Sequence, residues 1–121
     1  MKLSLRAIII VIAFLIGLGA GVAHVAAQPA EQVVKILAKK FDYTPNRITL
    51  KKGVPVVLEF ISTDVVMGFN VPDLGARTDI VPGQVARVRI VPDKVGAFTF
   101  FCDIFCGSGH EDMAGTITVV E

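Results

Sequence analysis

Ala97-Phe-Thr-Phe-Phe-Cys102-Asp-Ile-Phe-Cys106-Gly-Ser-Gly-His110-Glu-Asp-Met113-Ala-Gly115-Thr-Ile-Thr-Val-Val120 reads as a strand, a loop rich in metal donors, and a second strand. Ala97 to Cys102 is an apolar, aromatic run, and Gly115 to Val120 alternates polar and apolar residues, the period-2 signature of β-structure. Between them lie two thiols, one imidazole and one thioether. Thiolate and thioether sulfur favour Cu(I), zinc or iron–sulfur, while imidazole also suits copper, so a thioether in the set tilts it toward copper. No other Cys occurs in the chain, and the one other His, His24, lies in the apolar N-terminal segment. Any metal site of the folded part has to be built in this loop.

Working outward, the upstream sequence is also strand-like. Val33 to Ala38 is apolar and β-branched, Arg47 to Leu50 alternates, and Val54 to Ile61 is a longer apolar run. Val65 to Val71 is a short segment, and Val85 to Val91 alternates with Arg87 and Arg89 pointing outward. Gly- and Pro-containing turns separate these runs at Lys51-Lys-Gly53, Pro72-Asp-Leu-Gly75, Pro82-Gly-Gln84 and Pro92-Asp-Lys94. No helical stripe appears. Seven or so short strands predict an all-β domain, a Greek-key β-sandwich or small barrel. The donor loop then joins the last two strands at one pole, where a rigid scaffold holds it. Gly107 and Gly109 are expected to let the loop turn with positive φ. A Cys102–Cys106 disulfide, or two free thiols, is the alternative to metal. With only three residues between the cysteines, such a bridge would add little stability, because the gain grows with loop length.

The N-terminus has a different character. Lys2 and Arg6 precede an unbroken apolar run from Ala7 to Ala23, and Val25-Ala-Ala27 supplies small residues before Gln28-Pro29. That order is the order of a secretory signal cleaved after Ala27. A retained anchor is the competing reading, since residues 7–23 sit at the lower edge of the roughly 17–25 residues that span a bilayer. Both readings put the domain, residues 28–121, outside the cytoplasm, in the periplasm or on the outer face of the membrane. From Gln28 onward ten Lys/Arg face eleven Asp/Glu, a net charge of about −1. This balance carries no basic footprint for nucleic acid.

The pattern Cys102-x3-Cys106-x3-His110-x2-Met113, preceded by an aromatic strand and followed by Gly115-Thr-Ile-Thr-Val, resembles the binuclear CuA loop of cytochrome c oxidase subunit II and nitrous oxide reductase, within the cupredoxin fold. The likeness extends to Val65-Val-Met67-Gly-Phe69-Asn-Val-Pro-Asp-Leu-Gly75-Ala-Arg77-Thr-Asp79-Ile-Val-Pro-Gly83, which is similar to the family segment running from its first copper ligand. The resemblance implies two bridging thiolates from Cys102 and Cys106, a ring nitrogen from His110, a weak axial carbonyl from Ile104 and a weak thioether from Met113. It also implies a departure: Met67 stands where the family has a His. Met67 as a ligand would make the second position all sulfur, which favours Cu(I) over Cu(II) and raises the potential. Core packing is the other role open to it.

Three functions remain open. The first is a CuA-like one-electron carrier with a binuclear copper site, exchanging electrons with a cytochrome or another copper protein. A variant of it is a mononuclear cupredoxin site of one Cys, His110 and Met113. The second is a Cu(I) binding or delivery protein in which Cys102, Cys106 and Met113, with or without Met67, hold a single ion for a copper-accepting partner. The third is a metal-free structural relative. Catalysis is not expected: Asp103, Glu111 and Asp112 flank the donors, yet no carboxylate pair or second His accompanies them, and they read as a solvated rim or a docking patch. Lys39, Lys40, Lys51 and Lys52 read as solvated strand ends and turns.

Overall fold

The computed structural model describes Gly21 and residues 31–121. The signal or anchor expected over 1–27 therefore lies, Gly21 aside, outside the described residues. Nine strands follow in chain order: β1 Gln32–Lys39, β2 Asp42–Thr44, β3 Arg47–Lys51, β4 Val56–Ser62, β5 Met67–Val71, β6 Ala76–Ile80, β7 Ala86–Ile90, β8 Gly96–Phe101 and β9 Ala114–Val120. Helical structure among the described residues is limited to 3-10 turns at Pro72–Leu74 and His110–Asp112.

The strands form two sheets, ordered β2-β1-β4-β7 and β3-β9-β8-β5-β6. Within them β1 pairs with β4 and β3 with β9 in parallel, and the other neighbours are antiparallel. Parallel neighbours cannot be joined by a tight turn. The chain therefore crosses from β1 through β2 to β3 in the opposite sheet before returning in β4, a Greek-key path of the cupredoxin kind.

Alternation along the strands builds the core. In β4, Val56, Leu58 and Phe60 are buried while Ile61 is exposed; Ile48 and Leu50 of β3 and Ile117 and Val119 of β9 are buried from the other sheet. Four aromatic rings lock the two layers together. Phe69 lies 4.5 Å from Phe60 and 5.2 Å from Phe100, and Tyr43 meets Phe100 edge-on at 5.1 Å. Such offset and edge contacts add to what area burial alone supplies.

Seven of the nine strands match the expected runs, with ends shifted by a residue or two. β2 and β6 are additional. β2 is three residues long with only Tyr43 buried, too short for alternation to register. β6 carries Arg77, Thr78 and Asp79 between buried Ala76 and Ile80, the polar outer face of an edge strand. Arg87 and Arg89 do point outward, reaching Glu59 (3.2 Å) and Glu31 (2.7 Å). Lys39, Lys40, Lys51 and Lys52 are exposed.

Phe100 is fully buried and touches two of the other three rings. Phe100→Ala is expected to lower the unfolding free energy by about 3–5 kcal/mol, measured from urea midpoints at unchanged slope.

Candidate metal centre

The donor loop starts where β8 ends. Phe101 pairs with Ala114 as the last rung of the β8–β9 ladder, and the Cys102 N–H then donates to the Met113 carbonyl at 3.1 Å. The first and last donor residues of the loop are thereby joined at its base. Further along, His110 N–H bonds to Gly107 O and Met113 N–H to His110 O, each at 3.2 Å, coiling the chain into the short 3-10 turn that carries the imidazole.

Inside this loop Cys106 Sγ is the hub. It lies 3.8 Å from Cys102 Sγ, 3.7 Å from His110 Nδ1 and 3.9 Å from Met113 Sδ. Two sulfurs on one tetrahedral ion with bonds near 2.3 Å stand about 3.8 Å apart, so these spacings suit a shared soft cation. Cys102, Cys106 and Met113 are buried and His110 is half-buried. Both cysteines are free thiols, with no bridge between them. The Ile104 carbonyl lies 3.1 Å from Cys102 Sγ, accepting from the thiol. All five loop positions singled out in the sequence are thus gathered within one small volume. The donor chemistry fits copper: three sulfurs, one imidazole and a carbonyl, with no carboxylate among them.

Met67 is fully buried at the start of β5, on the core-facing side it shares with Phe69 and Val71. Its neighbour Gly68 touches the cluster directly. The Gly68 N–H points at Cys102 Sγ (3.4 Å), and the Gly68 carbonyl accepts from the Tyr43 hydroxyl at 2.6 Å. Burial, with Cys102 nearby, holds the Tyr43 phenol in its neutral, donating form, well above its ordinary range.

Two expectations about the loop need correction. Gly107 does adopt positive φ (137°), but Gly109 does not, at −98°. Position 109 is small for another reason: a Cβ there would collide with the ring of Phe41. Asp103 lies in the exposed rim as a residue, but its carboxylate is not left to solvent: the side chain is 19% exposed and pairs with Arg77 at 2.6 Å. Glu111 and Asp112 are exposed as expected. Sequence reasoning passed over Tyr43, Phe41, Asn70 and Arg77. For Arg77 a signal existed, since it lies in the segment that carries the family resemblance, whereas Tyr43 sits in the strand too short to be read.

Residues 7–119 match the family described as a cupredoxin-like domain. Cytochrome c oxidase subunit 2 of Thermus thermophilus is 36% identical over 99 residues, which is 82% of this chain and 73% of that protein. A further subunit 2 from the same species is also 36% identical over 99 residues, and there the chain spans 59% of the relative's length. Among solved structures, the periplasmic domain of subunit II of cytochrome oxidase from Bradyrhizobium japonicum superposes with a TM-score of 0.70 at 20% identity, covering 79% of this chain and 88% of that one, a likeness of fold. The metal binding domain of a Cu(I) exporting P-type ATPase from Streptococcus pneumoniae, solved with Cu(I), gives 0.62 at 25% identity and covers 79% and 92% of the two chains.

Burial pushes the Cys106 thiol up, Cys102 adds to this, and Lys40 opposes it. A thiol with a raised folded-state pKa holds its proton more tightly in the fold. The resulting stability is complete below the unfolded thiol's range and is lost as pH rises through the raised value. Metal-free protein is expected to melt at progressively lower temperature above about pH 8.5. Cys106→Ser should flatten that dependence in thermal melts, leaving a residual slope at higher pH from Tyr43.

Proposed function

This chain belongs to the cupredoxin-like family and is homologous to cytochrome c oxidase subunit 2, and on that footing we propose that it is a copper protein performing one-electron transfer through a CuA-like site in the 102–113 loop. The observation that carries the reading is the convergence of Cys102, His110 and Met113 on Cys106 Sγ within 3.9 Å. Cys102 and Cys106 would supply thiolates, His110 an imidazole nitrogen, Met113 a thioether and Ile104 its main-chain carbonyl. Bound copper supplies the one-electron couple that these side chains lack.

The chain's own contribution is to fix the donors before and after an electron moves. Cys102 is tied at its N–H to Met113 O and at its sulfur to the Gly68 N–H. His110 is set by the 3-10 turn, and Met113 is enclosed by the core. Donors held from several sides rearrange little, which keeps the barrier to electron exchange low. His110 is the one half-buried donor side chain and offers the route toward a partner, a cytochrome or another copper protein. The work is done outside the cytoplasm, with association to a membrane through residues 7–23 in the anchored form.

Met67 favours a second reading, a Cu(I) carrier that holds one ion for a copper-accepting partner. A fully buried thioether where the family has an imidazole makes the set softer, and the Cu(I)-bound ATPase domain shares the fold.

Copper per chain after anaerobic reconstitution, with electronic and EPR spectra, separates these readings. Electron transfer predicts more than one copper per chain and a coloured, delocalised mixed-valence state; the carrier predicts a single colourless Cu(I). Met67→His is expected to shift either form toward Cu(II) and lower its potential. Uptake that survives Cys102→Ala unchanged would remove both readings.

A further inference from the structure

We propose that Asp103 is a positioning residue for Cys102, held in place by Arg77 through a clasp on the outer face of β5 and β6. The inference rests on the reading of Cys102 as a copper ligand, and it adds a means by which that ligand is kept in place in the metal-free protein.

The clasp is built on the absence of a side chain. A Cβ at Gly68 would fall on the Asp103 carboxylate, and it would stand 3.2 Å from Asp103 Cγ and 3.3 Å from the Asp103 amide nitrogen. Asp103 therefore occupies the space that any other residue at position 68 would fill. The β5–β6 register sets Gly68 opposite Asp79 and Asn70 opposite Arg77, so four neighbouring positions form the floor beneath it. From that floor Arg77 Nε donates to Asp103 Oδ2 at 2.6 Å and Nη2 to Oδ1 at 3.0 Å, the two-pronged geometry that makes Arg–carboxylate pairs strong and directional. Asn70 Nδ2 adds a contact to Oδ2 at 3.3 Å, and Asp79 Oδ1 fixes Arg77 by accepting from Nη1 at 2.6 Å.

The same glycine faces the donor cluster through its backbone, donating its N–H to Cys102 Sγ at 3.4 Å. Two adjacent loop residues thus grip one residue of β5 from two sides, the carboxylate over its Cα and the sulfur on its amide. A swing of the Cys102–Asp103 segment breaks both contacts together. Exposed ion pairs contribute little to global stability, so the clasp acts mainly on the local opening of the loop. Copper then meets a thiol already placed, rather than one that must be ordered at the moment of binding.

The test uses the reduced, metal-free full chain and follows iodoacetamide labelling of Cys102 and Cys106 separately, by fragment-ion masses of the peptide that carries both. Both thiols are buried, so labelling reports loop opening. Arg77→Gln and Asp103→Asn are each expected to raise the Cys102 rate roughly three- to tenfold, with a smaller change at Cys106 and little change in melting temperature. An unchanged Cys102 rate overturns the proposal, as does an equal rise at both cysteines accompanied by a lower melting temperature. If Asp103→Asn does not fold, Arg77→Gln decides alone, since it breaks the same contact from an exposed side chain. Copper uptake by the unaltered chain is measured in parallel. No uptake removes the copper reading and with it the purpose assigned to the clasp; normal uptake with unchanged labelling removes the clasp alone.

Discussion

The hydrogen bond from the Cys102 N–H to the Met113 carbonyl, 3.1 Å long, sits where a β-ladder gives way to a loop, and the geometry of the pole follows from it. It extends the β8–β9 ladder beyond Phe101–Ala114, so that the first and last donor residues of the loop are neighbours in space although eleven positions apart in sequence. Everything between them must then turn inside a short closed circuit. A 3-10 turn and a glycine at positive φ make that possible, and Cys106 is brought into the middle. Because β8 and β9 are interior strands of their sheet, the circuit is tied to the part of the fold least free to fray.

The surrounding polar contacts divide the work by side of the sheet. Toward the core, the buried Tyr43 hydroxyl holds the Gly68 carbonyl; toward the loop, the Gly68 amide meets sulfur; on the outer face, Asp103 lies across the glycine and is fixed by Arg77. One residue without a side chain therefore serves as the meeting point of three elements. Its neighbour Met67 is carried into complete burial by the same strand, among Phe69 and Val71 on the core-facing side.

Much of this was legible from the sequence, and the reasons are physical. Strands such as β4 and β9 bury every second residue, so their period is written into the order of apolar side chains. The donor loop was legible because thiols, imidazole and thioether at close spacing have few other uses. The clasp was not: Asp103 beside two exposed acids reads as a charged rim, and only the register of β5 against β6 reveals that Arg77 lies within reach. Tyr43 was hidden by the brevity of β2. Gly109 reads in the sequence as backbone freedom, but its constraint is the ring of Phe41, a contact from the far end of the domain's sequence.

The parallel pairing of β3 with β9 has a consequence for the order of events during synthesis. Arg47 finds its partner in Thr116, and Lys51 in Val120, so the sheet that bears the donor loop stays open until the last strand is available. Contacts so distant in sequence form late, after the loop-closure entropy between them has been met. Until then the Cys102–Met113 circuit has no closed sheet behind it. The assembled pole, with its donors side by side, is therefore a property of the completed domain, and it comes into being in whichever compartment folding is finished.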